Sequence, residues 1–287
     1  MLSIAGSDSG GGAGIQADLK AFARCGVHGM TAVTAVTAQS TVGVTAVQPV
    51  PAEVIVAQVA AVADDIGVDA VKIGMLGSIE AAEAVERALD LVGDGVVVLD
   101  PVMVAESGAL LSDEQTRTAL RERLVPRATV VTPNVAEARV LAGGGIGDDL
   151  WRTASPARTA AVPDLVEMAL LAEAVHDLGP RCVVVTGGHA AEVTDAFFGG
   201  EAVEPIRGDR YPEGGAHGSG CTHSSALAAY LALGHAPLEA AKRARAVASE
   251  AVRDGLRAVG HGAGPVDALG AVRSMATTSS GVDSMAL

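Results

Sequence analysis

An α/β fold with a doubly wound, mostly parallel central sheet and helices on both faces is predicted on three grounds. Short valine-rich runs at 68–73, 96–99, 128–131 and 182–185 read as buried parallel strands, the one at 96–99 apolar throughout. Alanine-rich segments of helical period alternate with them along the chain. Hydrophobic residues make up 49 % of the 287 residues but aromatics only 2 %, so the core must be Ala, Val, Leu and Ile. The β/α alternation shows no linker between two cores. Residues 1–270 are therefore expected to form one domain, with 271–287 a flexible C-terminal tail.

Residues 2–5 read as a first strand. The chain continues Gly6-Ser7-Asp8-Ser9-Gly10-Gly11-Gly12-Ala13-Gly14, and a helix follows with Ile15, Leu19 and Phe22 at helical spacing. Strand, glycine loop and helix form a ligand-binding turn. No Gly-Lys-Ser/Thr ends it, so it is not a Walker loop. No acidic residue occurs between Asp18 and Glu53, which argues against a dinucleotide site. Taken alone, Asp18 reads more readily as a solvated helix carboxylate than as a site residue. A strand at 31–38 ends beside Gln39, and helices are predicted at 53–66 and 79–92. Gly74-Met75-Leu76-Gly77 follows the strand at 68–73, where Met75 taken alone reads as core more readily than as a ligand contact. The strand at 96–99 runs into Asp100-Pro101, and a carboxylate at that end of a parallel strand is where open sheets place functional groups.

A helix is expected at 112–124 with Ser112 as its cap. The strand at 128–131 leads into Thr132-Pro133-Asn134-Val135-Ala136-Glu137. The three-residue spacing puts Asn134 and Glu137 on one face of a helix start, as ordinary capping also would. Residues 143–161, with Trp151, read as a surface insertion. A helix at 164–178, a strand at 182–185 and a hairpin around Gly199-Gly200 come next, and then a polar loop at 209–215. His217-Gly218-Ser219-Gly220-Cys221-Thr222 opens directly into an apolar helix. The first amides of a helix lack internal partners, so Gly218, Ser219, Gly220 and Cys221 are expected to make an anion hole. A thiol at that position is expected to have a lowered pKa. The last long helix is expected at 238–259.

Net charge is −14, which argues against nucleic-acid or anionic-membrane partners. Three cysteines, Cys25, Cys182 and Cys221, give no disulfide framework and point to a reducing cytoplasm. No apolar run reaches transmembrane length, and the N-terminus lacks the basic region of a signal peptide.

Three pairs of blocks carry a family signature. They are Ala5 to Asp8 with Gly11 to Asp18, Lys72 to Leu76 with Asp100 to Met103, and Thr132 to Glu137 with His217 to Thr222. Their residues and order closely resemble the hydroxymethylpyrimidine/phosphomethylpyrimidine kinases of thiamine biosynthesis, members of the ribokinase-like superfamily. The resemblance covers residues 2 to about 270. It implies an ATP- and Mg²⁺-dependent kinase that phosphorylates 4-amino-5-hydroxymethyl-2-methylpyrimidine and then its monophosphate. By the resemblance, Gly6, Asp18, Gln39, Met75 and Val102 fall in the pyrimidine pocket. Asp100, Asn134, Glu137 and Thr186 fall on the nucleotide side, with Asp100 and Glu137 near Mg²⁺, Glu137 through water. Gly218, Ser219, Gly220 and Cys221 form the catalytic turn, with Cys221 where sugar kinases of the superfamily carry an aspartate base.

Two departures stand out. Thr186 replaces a lysine common among relatives, and the 209–216 loop is longer and carries Arg210. A pyridoxal kinase remains a close alternative, and a non-catalytic pyrimidine-binding regulator a more distant one. A cysteine hydrolase pairing Cys221 with His217 or His223 leaves Asn134, Glu137 and the first glycine loop without a role. Homodimers are common among relatives, so a homodimer is open.

Overall fold

The computed structural model describes residues 1–105, 108, 110–143, 165–187 and 193–270. The expected insertion at 143–161, apart from Gly143, and the expected tail at 271–287 lie outside these. The strands are β1 (Leu2–Ser7), β2 (Met30–Ser40), β3 (Gly43–Pro49), β4 (Ala70–Ile73), β5 (Val96–Leu99), β6 (Val130–Val131), β7 (Cys182–Val185), β8 (Val193–Phe198) and β9 (Val203–Gly208). They form one sheet in the order β3-β2-β1-β4-β5-β6-β7-β8-β9. The six central strands from β2 to β7 pair in parallel, and β3, β8 and β9 add antiparallel margins.

The helices are α1 (Gly14–Arg24), α2 (Ala52–Asp65), α3 (Ile79–Leu89), α4 (Glu114–Ala119), α5 (Val135–Leu141), α6 (Leu165–His176), α7 (Ser219–Ala232) and α8 (Pro237–Arg253). The period of two along each strand sorts them into two layers. Ile4, Ile73, Leu99 and Val185 pack with α2 to α6, whereas Val98, Val130 and Val184 pack with α1, α7 and α8. Alternate side chains of every central strand are thus buried on opposite faces. This is why those strands carry no polar stripe and are legible as apolar runs.

Three local expectations are corrected. The chain past Ser40 returns as β3, an edge strand that is mostly exposed, so it lacks the apolar signal used for the others. Asp113, not Ser112, caps α4: its carboxylate accepts from Thr116 N at 2.8 Å. That helix does not run regularly to 124 but widens into a π turn (Leu120–Leu124) and closes with a 3₁₀ turn (Val125–Arg127). Pro126 cannot donate to a continuing helix. The last helix ends at Arg253 rather than 259, because Gly255 packs directly on the backbone of Gly215.

Leu99 is fully buried on β5, at the middle of the sheet. Leu99→Ala is expected to cost about 2–5 kcal/mol of stability in urea unfolding. Val47→Thr, on the exposed edge strand, should stay within about 0.5 kcal/mol.

Candidate functional site

Chain direction puts the carboxyl ends of the parallel strands along one rim of the sheet, and a cleft of ≈540 Å³ lies there. Strand order divides it. Gly6, Gln39, Met75 and Val102 come from β1, β2 and the turns after β4 and β5. Asn134, Thr186 and Asp209 follow β6, β7 and β9. The start of α7 also lines the cleft, through Gly218, Ser219, Gly220 and Cys221.

The α7 turn is held by its backbone. Gly218 has φ +86°, and a Cβ there would run into the Gly12 carbonyl, so only glycine fits this crossing of the two glycine loops. Ser219 N donates to Ala216 O at 3.0 Å, but the amides of Gly220 and Cys221 have no backbone partner among the described residues. They are the free donors expected at a helix start. His217, the residue before the turn, lies 3.0 Å from Asp8 Oδ2 through Nε2, and Asp8 also accepts from Gly10, Gly12 and Ala13 amides. Burial opposes the charge on Asp8, but His217 and those amides outweigh it and hold the carboxyl below its usual range. The segment after α8 braces the other side, with Val266 N donating to His217 O at 3.0 Å.

Beneath the turn is a buried ionic floor. Lys72 of β4 is fully buried and donates to Asp18 Oδ1 at 2.9 Å, with Asp100 Oδ2 at 3.9 Å. Ser3 and Ser225 donate to Asp18 at 2.5 and 2.7 Å, and Ser224 donates to Asp100 at 2.9 Å. Burial alone would drive the Lys72 amine down, but Asp18, then Cys221 and Asp100, hold it above its ordinary value. Asp18 therefore does not line the cleft. Both its oxygens are taken inside the protein, and it supports the site from below.

Cys221 departs from expectation in one respect. Its thiol is pushed up to about 12, not lowered. Part of the side chain shows at the cleft wall, yet protein encloses the rest, and burial dominates. Lys72 and the Gly14 amide favour the thiolate, while Asp18 and Asp100 oppose it. His217, weighed as a base for this thiol, is engaged by Asp8 instead.

The remaining candidates are brought together at the rim. Gly6 donates to Met75 O at 3.0 Å, and a side chain at Gly6 would collide with the Met75 methyl, so the thioether can cover the strand end. Thr34 Oγ1 donates to the same carbonyl at 2.7 Å. The Ser9 hydroxyl donates to Gln39 O at 2.7 Å and accepts from Gln39 N at 2.8 Å, joining β2 to the first glycine loop. Asn134 and Glu137 form a reciprocal capping box at 2.9 and 3.0 Å, and Met103 N also donates to Glu137 at 3.3 Å. Thr186 N donates to Pro133 O at 2.9 Å. Asp209, Arg210, Tyr211, Pro212 and Gly214 of the long loop form part of the wall. Lys72, Asp8, His217, Ser224 and Ser225 do not stand out as site residues from sequence. Lys72 gives the one available signal, a charge inside an otherwise apolar strand.

The family description of phosphomethylpyrimidine kinase matches residues 8–267. The chain belongs to the phosphomethylpyrimidine kinase family. It is 46 % identical over 268 residues to a hydroxymethylpyrimidine/phosphomethylpyrimidine kinase of Rhizobium meliloti, covering 92 % of this chain and 95 % of that one. A phosphomethylpyrimidine kinase of Clostridium difficile superposes with a TM-score of 0.72 at 36 % identity, covering 88 % and 98 % of the two chains. The pyridoxal kinase of Staphylococcus aureus, in complex with AMP-PCP and pyridoxal, gives a TM-score of 0.80 at 32 % identity over 94 % and 93 %. The ribokinase-like sheet read from the sequence is the arrangement observed.

For a phosphomethylpyrimidine kinase family member, the fit of a divalent cation can be judged from the carboxylates. Burial raises the Asp100 carboxyl, and burial followed by the charge of Asp100 raises Glu137 to about 8. Two electrostatically coupled carboxyls whose charge burial opposes are a pair that a cation would hold in the charged form. No group of three or more His, Cys, Asp or Glu side chains is arranged to hold a metal among the described residues. The pair therefore suits a Mg²⁺ that keeps its waters and takes ligand phosphates, rather than a closed protein cage.

Two outcomes follow from this geometry. Lys72→Met leaves Asp18 charged and buried without a cation, so it should cost about 3–5 kcal/mol in urea unfolding, and adding Asp18→Asn should recover most of that. Glu137 binds its proton more tightly folded than unfolded, so its contribution is full below about 4.5 and is lost as pH rises through about 8. Unfolding of the chelator-treated protein should therefore show stability falling across that window, and Glu137→Gln should flatten the fall.

Proposed function

We propose that this chain, as one kinase domain over residues 1–270, transfers the γ-phosphoryl group of ATP to the hydroxymethyl oxygen of 4-amino-5-hydroxymethyl-2-methylpyrimidine. In a second turnover it would phosphorylate the resulting monophosphate. The observation that carries this reading is the divided cleft: an apolar and amide-bearing half meets a phosphate-suited half at two free helix amides. Gln39 supplies hydrogen bonds to the aminopyrimidine, and Met75 and Val102 cover its ring. Asp18, below the floor, acts as a positioning residue through Lys72. Mg²⁺, held near Asp100 and Glu137, would neutralise phosphate charge.

The hydroxymethyl oxygen attacks the γ-phosphorus, the bond to the β–γ bridging oxygen breaks, and ADP leaves with that electron pair. Gly220 and Cys221 amides, at the positive end of α7, hold the charge on the transferring group. Phosphoryl transfer depends chiefly on such positioning and charge stabilisation. The hydroxyl proton must leave as well, and Cys221 Sγ is the acceptor we assign. It starts as a thiol at neutral pH, so it must first release its own proton to solvent and then accept the hydroxyl proton as the thiolate, the form that Lys72 favours.

The second reading is a pyridoxal kinase, supported by the likeness to the Staphylococcus aureus enzyme. Pyridoxal is also a flat heteroaromatic ring with a hydroxymethyl group. An ATP-consumption assay with each compound decides: kcat/KM should favour the pyrimidine, and the reverse order selects pyridoxal. Nucleotide binding with no turnover of either selects the regulator. With saturating pyrimidine, Cys221→Ala should lower kcat by about 10²–10⁴-fold. An unchanged kcat removes the proton-acceptor role and leaves the amides of the turn as its contribution.

A further inference from the structure

The nucleotide half of the cleft holds a buried polar cluster that the reaction above leaves unused. Asp195 of β8 is fully buried and accepts from Gly187 N at 3.0 Å through Oδ1. Arg245 Nη1 of α8 lies 3.5 Å from the same oxygen, and His223 Nε2 of α7 lies 3.9 Å from the other. Asp195 Oδ2, both ring nitrogens of His223 and Arg245 Nε have no hydrogen-bond partner among the described residues. Buried polar atoms are ordinarily satisfied. Here four unsatisfied ones belong to three neighbouring side chains, and His223 and Arg245 both line the cleft.

The charge in this recess belongs to Arg245, since burial keeps the His223 imidazole below its ordinary range. Arg245 is fixed in place by packing as well as by Asp195. Its guanidinium covers Gly208, where a Cβ would approach Nε to 2.7 Å. The other cations at the cleft are placed differently. Lys72 is taken by Asp18 and Asp100, Arg210 stands on the exposed loop, and residue 186 is threonine. His223 follows Gly220 by three residues, so the recess lies on the α7 face that begins at a free amide.

We propose that Arg245 anchors the polyphosphate of the bound nucleotide, with Asp195 and His223 as its positioning residues. This rests on reading the cleft as a kinase site. It assigns to α8 the positive charge missing at Thr186. A guanidinium with unpaired donors beside a carboxylate suits phosphate oxygens, to which it gives charge-assisted bonds.

Calorimetric titration with adenosine, ADP and AMP-PCP separates the contacts. Arg245→Met should weaken ADP and AMP-PCP by about tenfold or more, while adenosine affinity changes less than about twofold. Arg245→Lys, or Thr186→Lys added to Arg245→Met, should restore most of the loss. In steady state the KM for ATP should rise and that for the pyrimidine should not. Equal losses for adenosine and ADP, or no loss at all, overturn the proposal, as does an equal rise in both KM values. If Arg245→Met does not fold, Arg245→Gln titrated in the same way separates the same outcomes. A wild-type chain that binds ADP through Arg245 without phosphorylating either ring compound refutes the reaction and keeps the anchor. Normal turnover with unchanged ADP affinity in Arg245→Met does the opposite.

Discussion

Lys72 is a fully buried cation in the middle of an apolar strand, and the site is arranged around its neutralisation. An ammonium removed from water is tolerated only with excellent geometry and partners for the counter-charges. The fold meets this by converging five elements on one point. Ser3 comes from β1, Asp18 from α1, Lys72 from β4, Asp100 from the end of β5, and Ser224 and Ser225 from the second turn of α7. Each donor satisfies a specific carboxylate oxygen, so the bonds fix α1 and α7 against the sheet. The start of α7 inherits that position. Its free amides face the cleft because its next turn is pinned below by Asp18 and Asp100.

The same network explains the thiol. A cysteine at a helix N-terminus is expected to ionise easily. Cys221 has the helix and Lys72 in its favour, but it also sits against two carboxylates inside the protein. Sequence shows the helix start and not the carboxylates, which come from residues more than 100 positions away. The direction of the shift is therefore out of reach until the fold is known. Asp18 is misplaced for a related reason. The family resemblance marks it as belonging to the site, yet whether a helix carboxylate points into a cleft or under it depends on which strand residue faces it. Lys72, one strand away, supplies the answer.

What is legible has a short-range or strongly patterned cause. The central strands are buried on both faces, and their continuous apolar runs follow directly. The glycine turns are visible because small residues cluster where backbones cross, as Gly218 and Gly12 do. The reciprocal Asn134–Glu137 bonds span three residues and are readable as spacing. The β3 edge, the π turn at Leu120–Leu124 and the Asp8–His217 contact depend on solvent exposure, a downstream proline or a partner 209 residues away, and none leaves a local pattern.

A chain with net charge −14 can serve an anionic co-substrate because the field at the cleft is local. The free amides of α7 and the side chains of Lys72 and Arg245 line the cleft itself, whereas exposed surface carboxylates are screened by salt. Sheet order sharpens the division. Under the proposed reading, the residues assigned to the ring lie on or after β1, β2, β4 and β5, and those assigned to phosphate lie after β6, β7 and β9, with Asp100 at the boundary after β5. The two halves share only the α7 turn and the ionic floor. A change at Gln39 or Met75 can therefore alter which ring is accepted without moving the phosphate site. This physical separation accounts for a pyridoxal kinase and a phosphomethylpyrimidine kinase both superposing on this chain, with TM-scores of 0.80 and 0.72.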